Sequence, residues 1–353
     1  MANSIIIATG SYIPPAVIPN TQFLDNEFYD EDGRKIERSN AEIIKKLHEI
    51  TEIRERRYVS DDLTTSDIAY MAAKEALEGI DKESLDCIIV GQNLGDVKAG
   101  NIRTDMVPSI AARVKHKLRI KNPYTVAFDI PFGCPGWLQA KNVADNYIKS
   151  GDAKRVMVIG AEILSRVSDP HDVDCMIYAD GAGATLVEAT DRDVGILSHV
   201  TRSDTYNEVN LLNLGKSYNP QRNGNDLFVM MDGQEIYKYA VRNVPQVVKK
   251  NLDKAGIELS DVQKVLIHQA NGKMDEAILK RLFKLYDIKE IPAGIMPMTI
   301  SWCGNSSVAT LPTLFDLIQK GRLENHRLHP GDVALFASVG AGMNINSMVY
   351  RMP

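Results

Sequence analysis

Phe128-Asp-Ile-Pro-Phe-Gly-Cys134-Pro-Gly-Trp137 runs from a short apolar stretch through a Gly-Cys-Pro-Gly turn into residues 136–149, which carry helical apolar spacing. A strand that feeds directly into a helix is the building unit of an α/β sheet. Gly133 and Gly136 leave room for neighbouring backbone, and Pro135 suits a first helical position. Cys134 is thereby expected at a helix start, where the positive end of the helix dipole lowers a thiol pKa and favours thiolate. Taken alone, the same residue reads first as a buried structural thiol, as Cys87 and Cys175 do.

Outward from this turn the alternation continues. Residues 4–8, 85–90, 125–128 and 155–159 read as buried strands, with a helix over 66–78. The second half repeats the theme, with a helix over 237–254, a strand over 262–267, a helix over 273–286, a helix over 306–320 and a strand over 332–338. Leu85-Asp-Cys-Ile-Ile-Val-Gly-Gln-Asn93 and Val262-Gln-Lys-Val-Leu-Ile-His-Gln-Ala-Asn271 share one pattern: a helix exit, a buried strand, a polar turn. Gly133-Cys-Pro-Gly136 and Cys303-Gly-Asn-Ser306 each put a small polar cluster before an apolar helix. The expectation is an α/β chain of two similar halves, 1–190 and 191–353, joined where charges and turn formers cluster at 188–194. Residues 26–40, polar and containing Asp30-Glu-Asp-Gly33, are expected as an exposed loop or hairpin.

Bulk properties exclude several classes. At 353 residues with 44% hydrophobic and 25% charged residues, the chain has the make-up of a globular protein with a large core. A net charge of -5 gives no general attraction to nucleic acid or anionic membrane. No stretch approaches the roughly 18 to 20 apolar residues of a membrane span, and the N-terminus reads as a first strand and not as a signal peptide. The four cysteines show no Cys-x-x-Cys spacing, so neither structural zinc nor a disulfide framework is expected, and a reducing cytoplasm fits.

Two more residues carry chemistry. His268 follows an apolar strand, and strand ends in α/β sheets present reactive groups; a neutral imidazole can donate to a thioester carbonyl and exchange a proton near neutral pH. Asn305, in Trp302-Cys-Gly-Asn-Ser-Ser307, offers a side-chain amide to a developing enolate oxygen without titrating. The bland alternatives are a satisfied core histidine and a plain helix N-cap. Asp180-Gly-Ala-Gly-Ala184 lacks both the Lys-Ser/Thr of a P-loop and dinucleotide glycine spacing, and reads as a tight turn between strands. Gly340-Ala-Gly342 follows a strand, and its backbone N–H groups suit half of an oxyanion hole.

Cys134, Asp180-Gly-Ala-Gly-Ala184, His268-Gln-Ala-Asn271, Gly304-Asn-Ser-Ser307 and Gly340-Ala-Gly342 occur in an order that resembles the β-ketoacyl-acyl-carrier-protein synthase III family, the Cys-His-Asn branch of the thiolase superfamily. Thr9-Gly-Ser-Tyr-Ile-Pro14, Ile53-Arg-Glu-Arg-Arg57 and Ser347-Met-Val-Tyr-Arg351 extend the likeness over nearly the whole chain. The resemblance implies a five-layered αβαβα thiolase fold and a homodimer. It implies an acyltransferase that condenses a Cys134-bound acyl group with a malonyl thioester, as in fatty-acid initiation, with no metal or cofactor beyond acyl-CoA and acyl-carrier-protein thioesters. It assigns the enolate to His268 and Asn305, the tetrahedral oxyanion to the N–H groups of Cys134 and Ala341, CoA or substrate binding to Arg166 and Asn271, and carrier-protein docking to Lys273, Lys280 and Arg281.

The departures bear on the acyl donor. Lys46 and Ile50 stand where the family often has an adenine-stacking Trp and a nearby Arg; Arg166 retains the other stacking position. Lys273 replaces an Arg, and residues 26–40 and 96–105 are longer than usual. These changes keep open a secondary-metabolism condensing enzyme of the same superfamily, of the alkylresorcinol, polyketide or long-chain ketone type. A non-catalytic acyl-binding subunit is opposed by the intact Cys134, His268 and Asn305. Thiolase proper lacks support, because Cys303 lies in the wrong box to be its second active-site cysteine.

Overall fold

The computed structural model describes residues 3–222 and 224–353. Among these, strands Asn3–Tyr12, Asp180–Thr190, Arg155–Ile163, Cys87–Gln92 and Val126–Pro131 form one sheet in that spatial order. Strands Gly195–Ser203, Asn344–Arg351, Val333–Gly340 and Val262–Ile267 form a second. In both sheets the first strand is antiparallel to the second, the second antiparallel to the third, and the third parallel to the fourth. The two sheets are thus built to one topological plan. The first adds a fifth strand, Val126–Pro131, parallel to Cys87–Gln92 and lying at the sheet edge.

Both sheets are covered, which explains why their central strands read as unbroken apolar runs. Helices Gly136–Ser150 and Thr310–Gln319 lie between them, with Trp137, Leu138, Leu314 and Phe315 packed against Ile89 and Val158 of one sheet and Phe336, Met348 and Tyr350 of the other. Phe315 meets Phe336 and Tyr350 edge-on at ring separations of 5.4 and 6.3 Å. Each such buried side chain contributes about 1.5 to 3 kcal/mol by leaving water. Helices Thr65–Ala76 and Ile110–Lys117 cover the outer face of the first sheet, and Gly233–Ala255 and Gly272–Lys284 that of the second. The sequence of layers is αβαβα.

Two expectations change. Asp180-Gly-Ala-Gly-Ala184 is not a turn but the buried start of strand Asp180–Thr190. Its small residues serve packing: a Cβ on Gly183 would come within 2.7 Å of Pro312 Cβ and Thr313 N, so the glycine lets helix Thr310–Gln319 rest on the sheet. Residues 306–320 are not one helix. Ser307 has φ 53°, and a 3-10 turn, Ser307–Ala309, precedes the α-helix Thr310–Gln319. Residues 26–40 do form a hairpin-like excursion, bridged at Tyr29 and Lys35, but Phe28 inside it is buried and anchors it to the body. The other long segment contains two short paired strands, Asp96–Lys98 and Asn101–Asp105. Buried Asp96 ties it down through Ser66 N at 2.7 Å and Arg113 at 2.6 Å. Among the described residues no helix is long and apolar enough to cross a membrane.

Candidate active site

The carboxyl ends of parallel strands converge on one cavity of about 290 Å³. Strand Cys87–Gln92 stops one residue before Asn93, Val262–Ile267 one before His268, and Val333–Gly340 one before Ala341; Cys134 follows Val126–Pro131 by three. All four line the cavity, together with Asn305 and Ser307. This is where an α/β sheet presents side chains beyond its hydrogen-bonded ladder.

The turn carrying Cys134 needs its glycines. Gly133 adopts φ 64°, and a Cβ on it would lie 2.8 Å from Ala341 N; a Cβ on Gly340 would lie 2.6 Å from Cys134 N. The Cys134 and Ala341 turns therefore touch backbone to backbone. The thiol itself differs from the expectation. Burial pushes it up to about 11, while the hydroxyl of Ser307, 3.4 Å from the sulfur, and its own backbone N–H act in the opposite direction. Desolvation of the thiolate outweighs the donors around it.

His268 is buried, and desolvation lowers its pKa to about 4, so the imidazole is neutral through the physiological range. Its backbone N–H donates to Ala337 O at 2.9 Å, which fixes the main chain, while Nδ1 has no partner. A neutral ring offers one donor and one acceptor. Asn305 is held by its backbone on both sides: its N–H donates to Ile177 O at 3.0 Å and its carbonyl accepts from Ala179 N at 2.8 Å. Its Oδ1 accepts from Ser307 N at 2.8 Å, which sets the amide rotamer and leaves the NH₂ group as the donor toward the cavity. Asn305 therefore makes a local turn contact but does not cap the helix that follows.

Leu94, Leu164, Leu214, Val229 and Met343 make the rest of the chamber apolar. A second cavity of about 860 Å³ shares Met231, Ile236, Ala270, Met274 and Asn305 with the first and opens between residues 36–51 and 233–238. Lys46 and Ile50 line it, as does Asn271, whose Oδ1 is engaged in capping helix Gly272–Lys284 through Met274 N at 3.1 Å. Arg38 and Lys238 line it too, and neither was singled out in the sequence, where isolated cations on polar segments carry no signal.

Arg166 lines neither cavity, and its guanidinium donates to the backbone carbonyls of Leu63, Val97 and Ser60 at 2.6, 2.6 and 2.8 Å. These bonds run from the edge of the guanidinium and fix its plane, while a stacking role would use its flat face. Lys273, Lys280 and Arg281 are all exposed on helix Gly272–Lys284. Lys273 pairs with Glu52 at 3.2 Å and Lys280 with Glu276 at 2.6 Å.

Family models described as 3-oxoacyl-[acyl-carrier-protein (ACP)] synthase III and its C-terminal part match residues 128–205 and 252–352. The chain is 35% identical to the β-ketoacyl-[acyl-carrier-protein] synthase III of Ehrlichia canis, with all of both chains covered. It is 34% identical to that of Xanthomonas campestris pv. campestris, over 99% of this chain and 98% of the relative. Among solved structures, the 3-oxoacyl-[acyl-carrier-protein] synthase III of Aquifex aeolicus is similar at TM-score 0.80 and 30% identity, covering 99% of each chain. That of Pseudomonas aeruginosa gives TM-score 0.81 at 25% identity, covering 99% of this chain and 98% of the other. With full-length identity at this level and an αβαβα order of layers, the chain belongs to the β-ketoacyl-[acyl-carrier-protein] synthase III family and has its thiolase fold.

Proposed function

We propose that the protein is an acyltransferase that starts fatty-acid chains by a decarboxylating Claisen condensation on Cys134. The observation that carries this reading is that Cys134, His268 and Asn305 line one small, largely apolar cavity continuous with a larger opening. Cys134 Sγ attacks the carbonyl carbon of an acyl thioester, the negative charge developing on the oxygen is met by the N–H groups of Cys134 and Ala341, and the carrier thiol leaves with the proton from the cysteine. A malonyl thioester then loses CO₂. The electron pair of the broken C–C bond passes into an enolate whose oxygen accepts from neutral His268 and the Asn305 NH₂ group. The enolate carbon bonds to the acyl carbonyl and expels the Cys134 thiolate, giving a β-ketoacyl thioester. A neutral histidine suits this role, since it donates without carrying a charge that must first be desolvated.

The opening supports a phosphopantetheine-linked substrate, with Arg38, Lys46 and Lys238 positioned to meet its phosphate. Lys273, Lys280 and Arg281 are the docking cations for acyl-carrier protein. The halves are 1–190 and 191–353. The exposed edge strand Val126–Pro131, with Val126 57% and neighbouring Tyr124 85% accessible, is the surface by which two copies form a homodimer, because an unpaired strand flanked by exposed apolar groups seeks a partner. The reaction runs on thioesters alone, in the cytoplasm. Intact-protein mass spectrometry after exposure to acyl thioesters, followed by release of labelled CO₂ from malonyl-carrier protein, tests the assignment. No acyl adduct from any chain length, or an adduct with no condensation, overturns it.

A further inference from the structure

Glu162 is fully buried on strand Arg155–Ile163, close enough to the site to act on Cys134 electrostatically, and the condensation described above leaves it without a task. Its Oε2 accepts from the backbone N–H of Asn93 at 2.9 Å and also from Asn93 Nδ2. Asn93 Nδ2 has a second hydrogen, and Ser307 Oγ lies 3.2 Å from the nitrogen. Ser307 Oγ in turn reaches Cys134 Sγ at 3.4 Å. The direction of each bond is forced. An NH₂ group only donates, so the serine oxygen accepts from Asn93; a hydroxyl has one proton, and that proton is left for the sulfur.

We infer that Glu162 and Asn93 are positioning residues for the nucleophile, orienting the Ser307 hydroxyl as a hydrogen-bond donor to the Cys134 sulfur. If the Asn93 amide were reversed, its oxygen would face the Glu162 carboxyl and the serine hydroxyl would turn toward that oxygen and away from the sulfur. Glu162 holds the amide in the productive orientation by offering an acceptor where only the NH₂ group fits. Burial raises the Glu162 carboxyl to about 8; because the backbone N–H of Asn93 already donates to Oε2, a proton on the carboxyl sits on Oε1 and Oε2 stays the acceptor. The other ionisable groups around the sulfur and this carboxyl are Tyr178, Asp180 and His268. Tyr178 stays neutral because burial raises it well above its ordinary value, Asp180 is raised by burial to about 6, and His268 is neutral above about 4. Asn93 also follows its strand as His268 follows its own, so the two halves contribute equivalent strand-end positions to one cavity.

This inference rests on Cys134 being the nucleophile, and its test separates the two. The rate of Cys134 alkylation by iodoacetamide is measured against pH in the full-length enzyme, with acyl-adduct formation measured alongside. Ser307→Ala is expected to shift the alkylation profile upward and to slow the reaction at pH 7 by about tenfold or more, since a hydrogen bond to a charged group is lost. Asn93→Ala and Glu162→Leu shift it the same way. Glu162→Gln, which keeps the acceptor, stays close to wild type. Glu162→Leu in the Ser307→Ala background causes no further change, because the relay has already lost its end. An unshifted profile in Ser307→Ala, or an additive Glu162→Leu effect in the double variant, overturns the relay while leaving the acyl-enzyme reading intact. If Glu162→Leu fails to fold, Asn93→Ala and its combination with Ser307→Ala decide in the same way. A wild-type enzyme that forms no adduct at Cys134 overturns both.

Discussion

Gly340 presses so closely on Cys134 that a side-chain carbon on the glycine would lie 2.6 Å from the cysteine's backbone nitrogen. The partner atom is backbone and cannot swing aside, so the Cys134 turn and the 340–342 turn are fixed against each other. Gly340→Ala is expected to push the two turns apart and spoil the alignment of the Cys134 and Ala341 N–H groups. Misplacement of about 1 Å can cost on the order of 100-fold in rate. Acyl-enzyme formation followed by mass spectrometry, with circular dichroism as the control for folding, checks this; a folded variant that acylates at the wild-type rate contradicts it.

Cys134 is expected to be the sole cysteine acylated. Cys87, Cys175 and Cys303 are buried outside the two cavities, and desolvation raises all three thiols, Cys87 and Cys303 to about 12. Cys134→Ala should abolish the adduct, whereas single Ala variants of the other three should retain it. Peptide mapping of the acylated enzyme locates the group, and an adduct surviving in Cys134→Ala refutes the assignment.

His268→Ala and Asn305→Ala should still acylate yet lose malonyl decarboxylation by about 100- to 1000-fold, the usual effect of removing one donor from a developing oxyanion. Labelled CO₂ released at near wild-type rate by either variant removes that residue from the enolate.

His268 also makes a stability prediction. Its folded pKa of about 4 lies below the ordinary 6.5, so as pH falls from about 6.5 toward 4 the unfolded chain gains a proton that the folded ring refuses. That group therefore costs stability as acid is added, and His268→Gln should flatten the acid side of the curve. Buried carboxyls such as Glu162 and Asp180, whose folded values are raised, slope the other way and are common to both proteins. Urea unfolding at pH 7 and pH 5 measures the difference; identical pH dependence for the two proteins would show that the ring is not held neutral.

The donor preference follows from the opening. Lys46 and Ile50 line it, and they stand at the positions where the family resemblance expects an adenine-stacking Trp and a nearby Arg. Stacking of a base on protein contributes about 1 to 3 kcal/mol, so its loss should raise KM for acyl-CoA about tenfold or more. Acyl-carrier protein, which brings its own docking surface, should be the better donor by kcat/KM. Lys46→Trp should narrow the gap. Reversing Lys273, Lys280 and Arg281 should weaken the carrier-protein reaction far more than the CoA reaction, and equal losses would reduce that helix face to a structural role.

Much of this protein is decided locally and so was legible in the chain. Apolar strands such as Val262–Ile267 and the helix after Cys134 follow from periodicity, and the order of Cys134, His268 and Asn305 carried the family resemblance. What only the tertiary structure decided is everything set by neighbours distant in sequence. Asp180-Gly-Ala-Gly-Ala184 has a turn's composition but is a strand, because helix Thr310–Gln319 needs the space that its glycines leave. Arg166 has the family's residue type, and the plane of its guanidinium is set by carbonyls of Ser60, Leu63 and Val97, all distant in sequence. Arg56, within the Ile53-Arg-Glu-Arg-Arg57 motif, is wholly buried, and a Cβ on Gly304 would lie 2.6 Å from its Cβ, so it packs beneath the turn that carries Asn305. The Cys134 thiol shows the same division. Sequence places it at a helix start, which favours thiolate, but the surrounding segments half-bury it, and desolvation, a property of the assembled cavity alone, prevails.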